Sequence, residues 1–261
     1  MSEANHLVEI EAGIARVVLN RPDVHNALDD QLIADLAVSF EKIAADRAVR
    51  AVMLTGQGTS FCAGADLAWM RRTADYTFEQ NLADAMSLAR LLRLLNTMPQ
   101  PTLALVNGPA YGGGVGLVAC CDIAIAADTA KFSFSEVRLG LIPATISPYV
   151  VRKIGESTAR RYFLTAEVFE AADAAKLGLV HEVVPAAGLA EAVGWFVKRL
   201  REGGPASQGA AKQLIARVAG APIDEALMED TARRIADQRA SPEGKEGAEA
   251  FLAKRDPAWR N

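Results

Sequence analysis

The stretch Asn107–Gly116, reading NGPAYGGGVG, constrains this chain more than any other. It follows the apolar run Leu103-Ala104-Leu105-Val106 and opens into Val115-Gly116-Leu117-Val118-Ala119-Cys120-Cys121. Such a pattern reads as a buried strand delivering its end to the start of a buried helix. A helix start carries unpaired amides. Gly112, Gly113 and Gly114 have no side chains to obstruct a ligand, so those amides, aided by the positive helix end, can point at an oxygen that carries or develops negative charge. Tight packing is the plainer explanation of a lone glycine triplet. A second stretch with the same logic tells against it. Ala51-Val52-Met53-Leu54 leads through the turn Gly56-Gln57-Gly58-Thr59-Ser60 to Phe61-Cys62-Ala63-Gly64-Ala65-Asp66, again small residues at a helix start. If the two strands are sheet neighbours, amides of the two turns can converge on one atom, which is how a two-donor oxyanion hole is built. Neither stretch is a phosphate loop, because GxxxxGK[ST] is absent and glycines 112, 113, 114 and 116 do not fit GxGxxG.

The remaining pattern extends this unit. Leu7 to Glu11 and Ile14 to Leu19 flank Gly13 and predict a hairpin, ended by Arg21-Pro22. Asp29 or Asp30 caps a helix with apolar Leu32, Ile33, Leu36, Phe40 and Ile43, and helical periodicity returns from Leu82 to Leu95 until Pro99 and Pro101. Ile123 to Ala126 is another buried strand. Strand, small-residue turn, helix, strand thus recurs, which predicts parallel strands joined by helical crossovers. Beyond Pro143 the prediction is mostly helical: 159–165, 171–177, 189–200, 207–218, 223–238 and 246–254, with one strand at 179–184.

Composition excludes several classes of function. With 261 residues, 51% hydrophobic and 23% charged, one main soluble domain is the simplest expectation. A net charge of −4 leaves no footprint for nucleic acid or a membrane surface. Cys62, Cys120 and Cys121 are an odd count, with two adjacent in an apolar run, so neither a disulfide framework nor a metal cluster is indicated. The N-terminus lacks a basic, apolar signal region and no apolar stretch approaches the length of a membrane span, so the expected location is the cytoplasm.

Glu136 is the candidate for proton chemistry. It follows Phe132-Ser133-Phe134-Ser135 and precedes Leu139, Leu141 and Ile142. A carboxyl group buried in such surroundings loses solvation as an anion, and its pKa rises toward the range useful for moving protons. Arg138 would oppose that if it folds back, and a surface glutamate at a strand end is the alternative. His6 and His181 are unremarkable, and with no GxSxG a Ser-His hydrolase has little support.

Five segments in order, LNRPDVHNAL (19–28), FCAGADL (61–67), NGPAYGGG (107–114), CDIAIA (121–126) and FSFSEVRLGLIP (132–143), resemble the crotonase superfamily of enoyl-CoA hydratases and isomerases. The likeness runs along the whole chain, and is far more specific for the fold and for acyl-CoA thioesters than for the reaction. It implies an α/β fold of repeated ββα units in a spiral core, residues 1–200, followed by a C-terminal helical region, residues 201–261, that oligomerises and completes the CoA site. A homotrimer or hexamer is the implied assembly. No metal or cofactor is implied, coenzyme A being part of the substrate. The resemblance assigns Glu136 as the acid/base and the amides of Ala65 and Gly113 as oxyanion donors. It places Val24, His25, Ala27, Ala63, Ala65, Asp66 and Leu67 along coenzyme A, with Gly112 beside Gly113. Phe251 and Lys254, in FLAKR, match a motif whose lysine reaches a phosphate, often across a subunit boundary; without the motif, Lys254 reads as a solvated helix face.

Two departures bear on the reaction. Where hydratases of the usual type carry a second glutamate this chain has Gly116, and the glycine-rich segment expected after LIP is replaced by Ala144-Thr145-Ile146-Ser147-Pro148-Tyr149-Val150. A single acid/base is the arrangement of the enoyl-CoA isomerases. The pattern VRLGLIPATISPYVVRKIG followed by ARRYFLTAE is nevertheless similar to bacterial methylglutaconyl-CoA hydratases and relatives in branched-chain and isoprenoid breakdown, in which the same glycine stands. This implies a branched, carboxylated enoyl-CoA whose distal carboxylate would use the space that Gly116 leaves open. The expected function is a hydratase. An isomerase using Glu136 alone is the first alternative, and a non-catalytic acyl-CoA or RNA-binding scaffold the second, against which the acidic balance and the retained site residues count.

Overall fold

The computed structural model describes residues 4–260. A hairpin of β1 (His6–Glu11) and β2 (Ile14–Leu19) opens the chain and leads to helix α1 (Asp30–Ala45). The side chain of Asp29 caps α1 by accepting from the Leu32 amide, and Leu32, Ile33, Leu36, Phe40 and Ile43 form its buried stripe. Strand β3 (Ala51–Gly56), helices α2 (Leu67–Thr73) and α3 (Phe78–Thr97), strands β4 (Thr102–Val106) and β5 (Ala110–Tyr111), and helix α4 (Gly113–Cys120) follow. After β6 (Ile123–Ala127) and β7 (Lys131–Ser133) come α5 (Ser147–Thr165), β8 (Phe169–Glu170), α6 (Ala171–Lys176) and β9 (Glu182–Val184). The chain then turns helical, with α7 (Leu189–Glu202), α8 (Pro205–Val218), α9 (Glu225–Ala240) and α10 (Pro242–Leu252). No helix among the described residues is long and apolar enough to cross a membrane.

The main sheet has the order β1-β2-β3-β4-β6-β9, with β1 antiparallel and the rest parallel. A smaller sheet, β5-β7-β8, forms the next layer. Single bridges extend this layer across the turns that follow the main strands: Cys62 pairs with Ala110, and Leu28 with Ala65. Strands β2, β3, β4 and β6 each step to a short extended segment before the next helix, and this step is the repeated ββα unit. The second layer carries the small-residue turns, stacked side by side. Because β3 and β4 are direct neighbours, the two turns converge as expected.

Five elements depart from the sequence expectation. The strand predicted over 179–184 is confined to Glu182–Val184, because the His181 ring accepts the Ala124 amide at 3.0 Å in place of a backbone carbonyl. The helix predicted over 159–165 begins at Ser147 and is broken at Gly155, whose φ of 75° separates two helical stretches. The small strands β5, β7 and β8, too short for a period-2 pattern, were not predicted. In the C-terminal region Lys212 of α8 binds the Asp122 carboxylate at 2.6 Å and the Gln100 carbonyl at 2.9 Å, while Arg50 holds the carbonyls of Gly203 and Trp259. These contacts fasten the helical region to the N-terminal ends of the main strands.

Candidate active site

Helix α4 is buried all round beyond its first residue, so its axis is fixed by packing on every side. The Gly113 amide, in the first turn, has no intrahelical acceptor. On the neighbouring turn the Leu28 amide donates to the Gly64 carbonyl and the Asp66 amide to the Leu28 carbonyl, at 2.7 and 2.8 Å. Successive amides of an extended segment point to opposite sides, so the Ala65 amide between them faces away from Leu28. Among the described residues neither the Ala65 nor the Gly113 amide donates to a protein acceptor. Both line a cavity of about 620 Å³.

The glycines let these turns come together. Gly64 sits at φ 90° and Gly112 at φ 47°, values that favour glycine. A Cβ on Gly64 would stand 2.9 Å from the Tyr111 carbonyl oxygen, and one on Gly112 would stand 3.1 Å from Oε1 of Glu136. The Glu136 carboxyl therefore lies directly against the turn that carries Gly113.

Glu136 opens a short 3-10 helix, residues 136–139, that leaves β7. Its base is fixed by Phe134, which packs edge-on against Phe163 at 4.8 Å, and by Phe132 stacked on Phe169 at 5.6 Å. Oε2 of Glu136 is buried and has no hydrogen-bond partner. Burial pushes the Glu136 carboxyl above the ordinary carboxylate range. Arg138 is exposed and does not fold back to oppose that shift.

The acidic and cationic residues around the turns serve a different purpose. Asp66 caps α2, accepting from the Ala68 and Trp69 amides at 2.8 and 3.1 Å. Arg21 bridges it to Asp29, at 3.0 and 2.9 Å, and also donates to the Ala27 carbonyl. Burial works against ionisation of Asp66, yet the two amides and the Arg21 guanidinium together hold its carboxyl below the usual range. Asn26, fully buried at φ 57°, donates to the Gln57 and Ser60 carbonyls and locks the turn of residues 20–28 to its neighbour. Arg21 and Asn26 thus set where the Ala65 amide sits. The sequence offered Arg21 only as the end of the hairpin; a guanidinium shared by the caps of two helices has no local signature.

The cavity unites Ala63, Ala65, Leu67, Gly112, Gly113 and Glu136 from the sequence expectation. Val24 and His25 lie exposed on the adjoining turn, where the Ala63 amide donates to the His25 carbonyl; Ala27 is buried behind it. The side chain of Asp66 is committed to its cap. Phe251 and Lys254, at the end of α10, are exposed and do not line this cavity within their own chain.

The structure corrects one expectation. Gly116 does not open onto free space: a Cβ there would lie 2.3 Å from Cγ2 of Ile146, which is only 2% exposed, and 3.6 Å from Leu92. The two departures from the usual pattern are thus one packing event, in which the side chain of Ile146 fills the place beside a residue with none. Trp69 and Asp84, joined by a 3.2 Å hydrogen bond from the indole Nε1, also line the cavity and were not singled out from the sequence.

A family model described as enoyl-CoA hydratase/isomerase matches residues 9–261. A crotonyl-CoA hydratase of Syntrophomonas wolfei is 33% identical over 98% of this chain and 97% of its own. A hydroxycinnamoyl-CoA hydratase-lyase of Pseudomonas fluorescens is 36% identical over 78% of this chain and 75% of its own. The crystal structure of an enoyl-CoA hydratase from Shewanella pealeana superposes with a TM-score of 0.96 at 43% identity, covering 98% of this chain and 96% of that one. With a family match across nearly its whole length, and with two free amides and a half-buried glutamate gathered in one cavity, the chain belongs to the enoyl-CoA hydratase/isomerase family of the crotonase superfamily.

Proposed function

We propose that this protein adds water across the α,β double bond of an enoyl-CoA thioester. The observation that carries this is the joint position of the Ala65 and Gly113 amides and the unpartnered Oε2 of Glu136 on one cavity. The amides receive the thioester oxygen and are strengthened as it becomes an enolate; one such donor contributes about 3 kcal/mol to the transition state. Glu136, with no second carboxylate in contact, serves alone. It takes a proton from water as the oxygen attacks the β carbon, then returns that proton to the α carbon as the enolate collapses. The carboxylate ends as it began.

For the acyl group we propose a branched, carboxylated chain such as 3-methylglutaconyl-CoA, on the likeness of residues 137–167 to that subgroup. The place beside Gly116 is filled, so the substrate carboxylate must be met elsewhere. Ser135 and Thr145 supply hydroxyls on the Glu136 side of the cavity, and among the described residues neither side chain is engaged by a protein partner. The names of the relatives support an enoyl-CoA substrate, and their different acyl groups leave the branch and the carboxylate to experiment.

The oligomer is likewise a proposal. Phe251 and Leu252 are 83% and 80% exposed at the end of α10, and Lys254 stands beside them; a homotrimer, or a hexamer of two trimers, would cover these residues and bring Lys254 to a neighbour's coenzyme A.

Loss of the enoyl thioester absorbance, followed for crotonyl-CoA and 3-methylglutaconyl-CoA, tests the proposal. A kcat/KM at least about tenfold higher for the latter is expected, about 1.4 kcal/mol of transition-state preference. Equal or better turnover of crotonyl-CoA would reject the carboxylated substrate. Double-bond migration with α-proton exchange but no hydration would make the protein an isomerase.

A further inference from the structure

Helix α3 lays one face along the cavity, and Asp84, Ala85 and Leu88 of that face line it. Leu92, on the same face, marks the level of Gly116, where Ile146 closes the cavity. Asp84 lies two helical turns before Leu92, a rise of roughly 12 Å, so it lines the cavity well away from the level at which Ile146 closes it. A glutaconyl carboxylate lies only two bonds beyond the β carbon, so the probes below carry longer chains.

The polar groups at that end are acceptors. Asn81 spends its amide nitrogen on the Tyr76 and Thr77 carbonyls, at 3.1 Å each, and leaves its oxygen. Thr73 donates its hydroxyl hydrogen to the Met70 carbonyl at 3.0 Å. Asp84 accepts from the Trp69 indole with Oδ1, and its second oxygen has no protein partner among the described residues. No lysine or arginine lines the cavity. Asp84 is half-buried, and the Arg72 guanidinium that acts on it is paired with Asp30, so an anionic tail arriving there would meet like charge and unpaired acceptors.

We propose that Asp84 is a specificity-determining residue: with the Asn81 and Thr73 oxygens it makes an acceptor-only end of the acyl cavity, which rejects a longer acyl group ending in a carboxylate and takes one ending in a hydrogen-bond donor such as a hydroxyl. This rests on the cavity being the acyl site, and a binding measurement tests it without relying on turnover. Three saturated thioesters of one chain length serve as probes: decanoyl-CoA, 10-hydroxydecanoyl-CoA and the CoA monothioester of decanedioic acid. Titration calorimetry on the wild-type protein is expected to give the carboxylated probe a Kd at least about tenfold above that of decanoyl-CoA, and the hydroxylated probe a Kd at or below it. Asp84→Asn keeps the shape and an oxygen for the Trp69 indole while removing the charge, and is expected to bring the carboxylated and methyl-ended probes within about threefold of each other. Trp69→Phe removes the indole donor and leaves the charge, so it is expected to keep the rejection, which separates the carboxylate's effect from a general disturbance of the wall. Equal affinity for all three probes in the wild type, or a rejection that survives Asp84→Asn, would overturn the proposal alone. Failure of all three to bind would overturn the acyl-site reading with it.

Discussion

The contact between Gly116 and Ile146 yields a prediction whose sign depends on the structure. In isolation Gly116→Ala is a favourable change inside a helix, since alanine in place of glycine gains about 0.5–1 kcal/mol. Here the new Cβ would meet Cγ2 of Ile146 at 2.3 Å and its Cβ at 3.0 Å, with Leu92 behind. Overpacking of that kind costs about 1–3 kcal/mol, so the net expectation is a loss of about 1–2 kcal/mol. Ile146→Ala empties the opposing position and costs about 2–4 kcal/mol through lost burial and a residual cavity. In that background the obstructing Cγ2 is gone, and a shift of a few tenths of an ångström relieves the remaining approach. Gly116→Ala should then stabilise, leaving the double variant about 0.5–1 kcal/mol above Ile146→Ala alone. The coupling in the cycle is about 2 kcal/mol, well beyond the scatter of independent sites. Urea denaturation of all four proteins at one fixed protein concentration, so that any association contributes equally, measures it. A Gly116→Ala change with the same effect in both backgrounds would refute the claim that Ile146 occupies the place of a side chain at 116. A stabilising effect in the wild type would do so as well.

Glu136→Gln is expected to lower turnover by about 10²–10⁴-fold or more while preserving coenzyme A affinity, checked by steady-state kinetics and calorimetry; retained activity would remove Glu136 from the mechanism. The same variant has a pH signature. Because the folded-state pKa of Glu136 is raised, the folded protein holds this proton more tightly than the unfolded chain, and wild-type stability is lost as pH rises from the ordinary glutamate value through the raised one. Glu136→Gln is therefore expected to gain in denaturation midpoint relative to wild type at neutral pH and to lose that advantage below about pH 4. Asp66→Ala has the opposite dependence: removing a cap and half of the Arg21 clamp costs about 1–2 kcal/mol at pH 7, and the difference shrinks as pH falls below about 4, where the wild-type carboxylate protonates. Sedimentation is expected to show a trimer or a multiple of it at micromolar concentration, and Lys254→Ala to weaken coenzyme A binding; a stable monomer would refute the shared site.

The sequence by itself determined the elements whose signal is local. The turns at 56–66 and 107–114 are legible because small residues after an apolar run have few other uses, and α1 because Asp29 and an apolar stripe lie within one window. From these came two turns whose amides can converge on one atom; it was the resemblance to the crotonase superfamily that narrowed them to Ala65 and Gly113 and assigned Glu136 as the acid/base. What only the tertiary structure decided are relations between segments distant along the chain. Arg21 joins Asp29 to Asp66, and Asn26 ties its turn to Gln57 and Ser60, through pairings that leave no periodicity behind. Trp69 and Asp84 meet only because α2 and α3 fold over one cavity. Gly116 was conspicuous in the sequence, yet its meaning was reversed by the fold. A missing side chain reads as empty space along a chain, whereas a close-packed interior fills such a place from another element, here with Ile146.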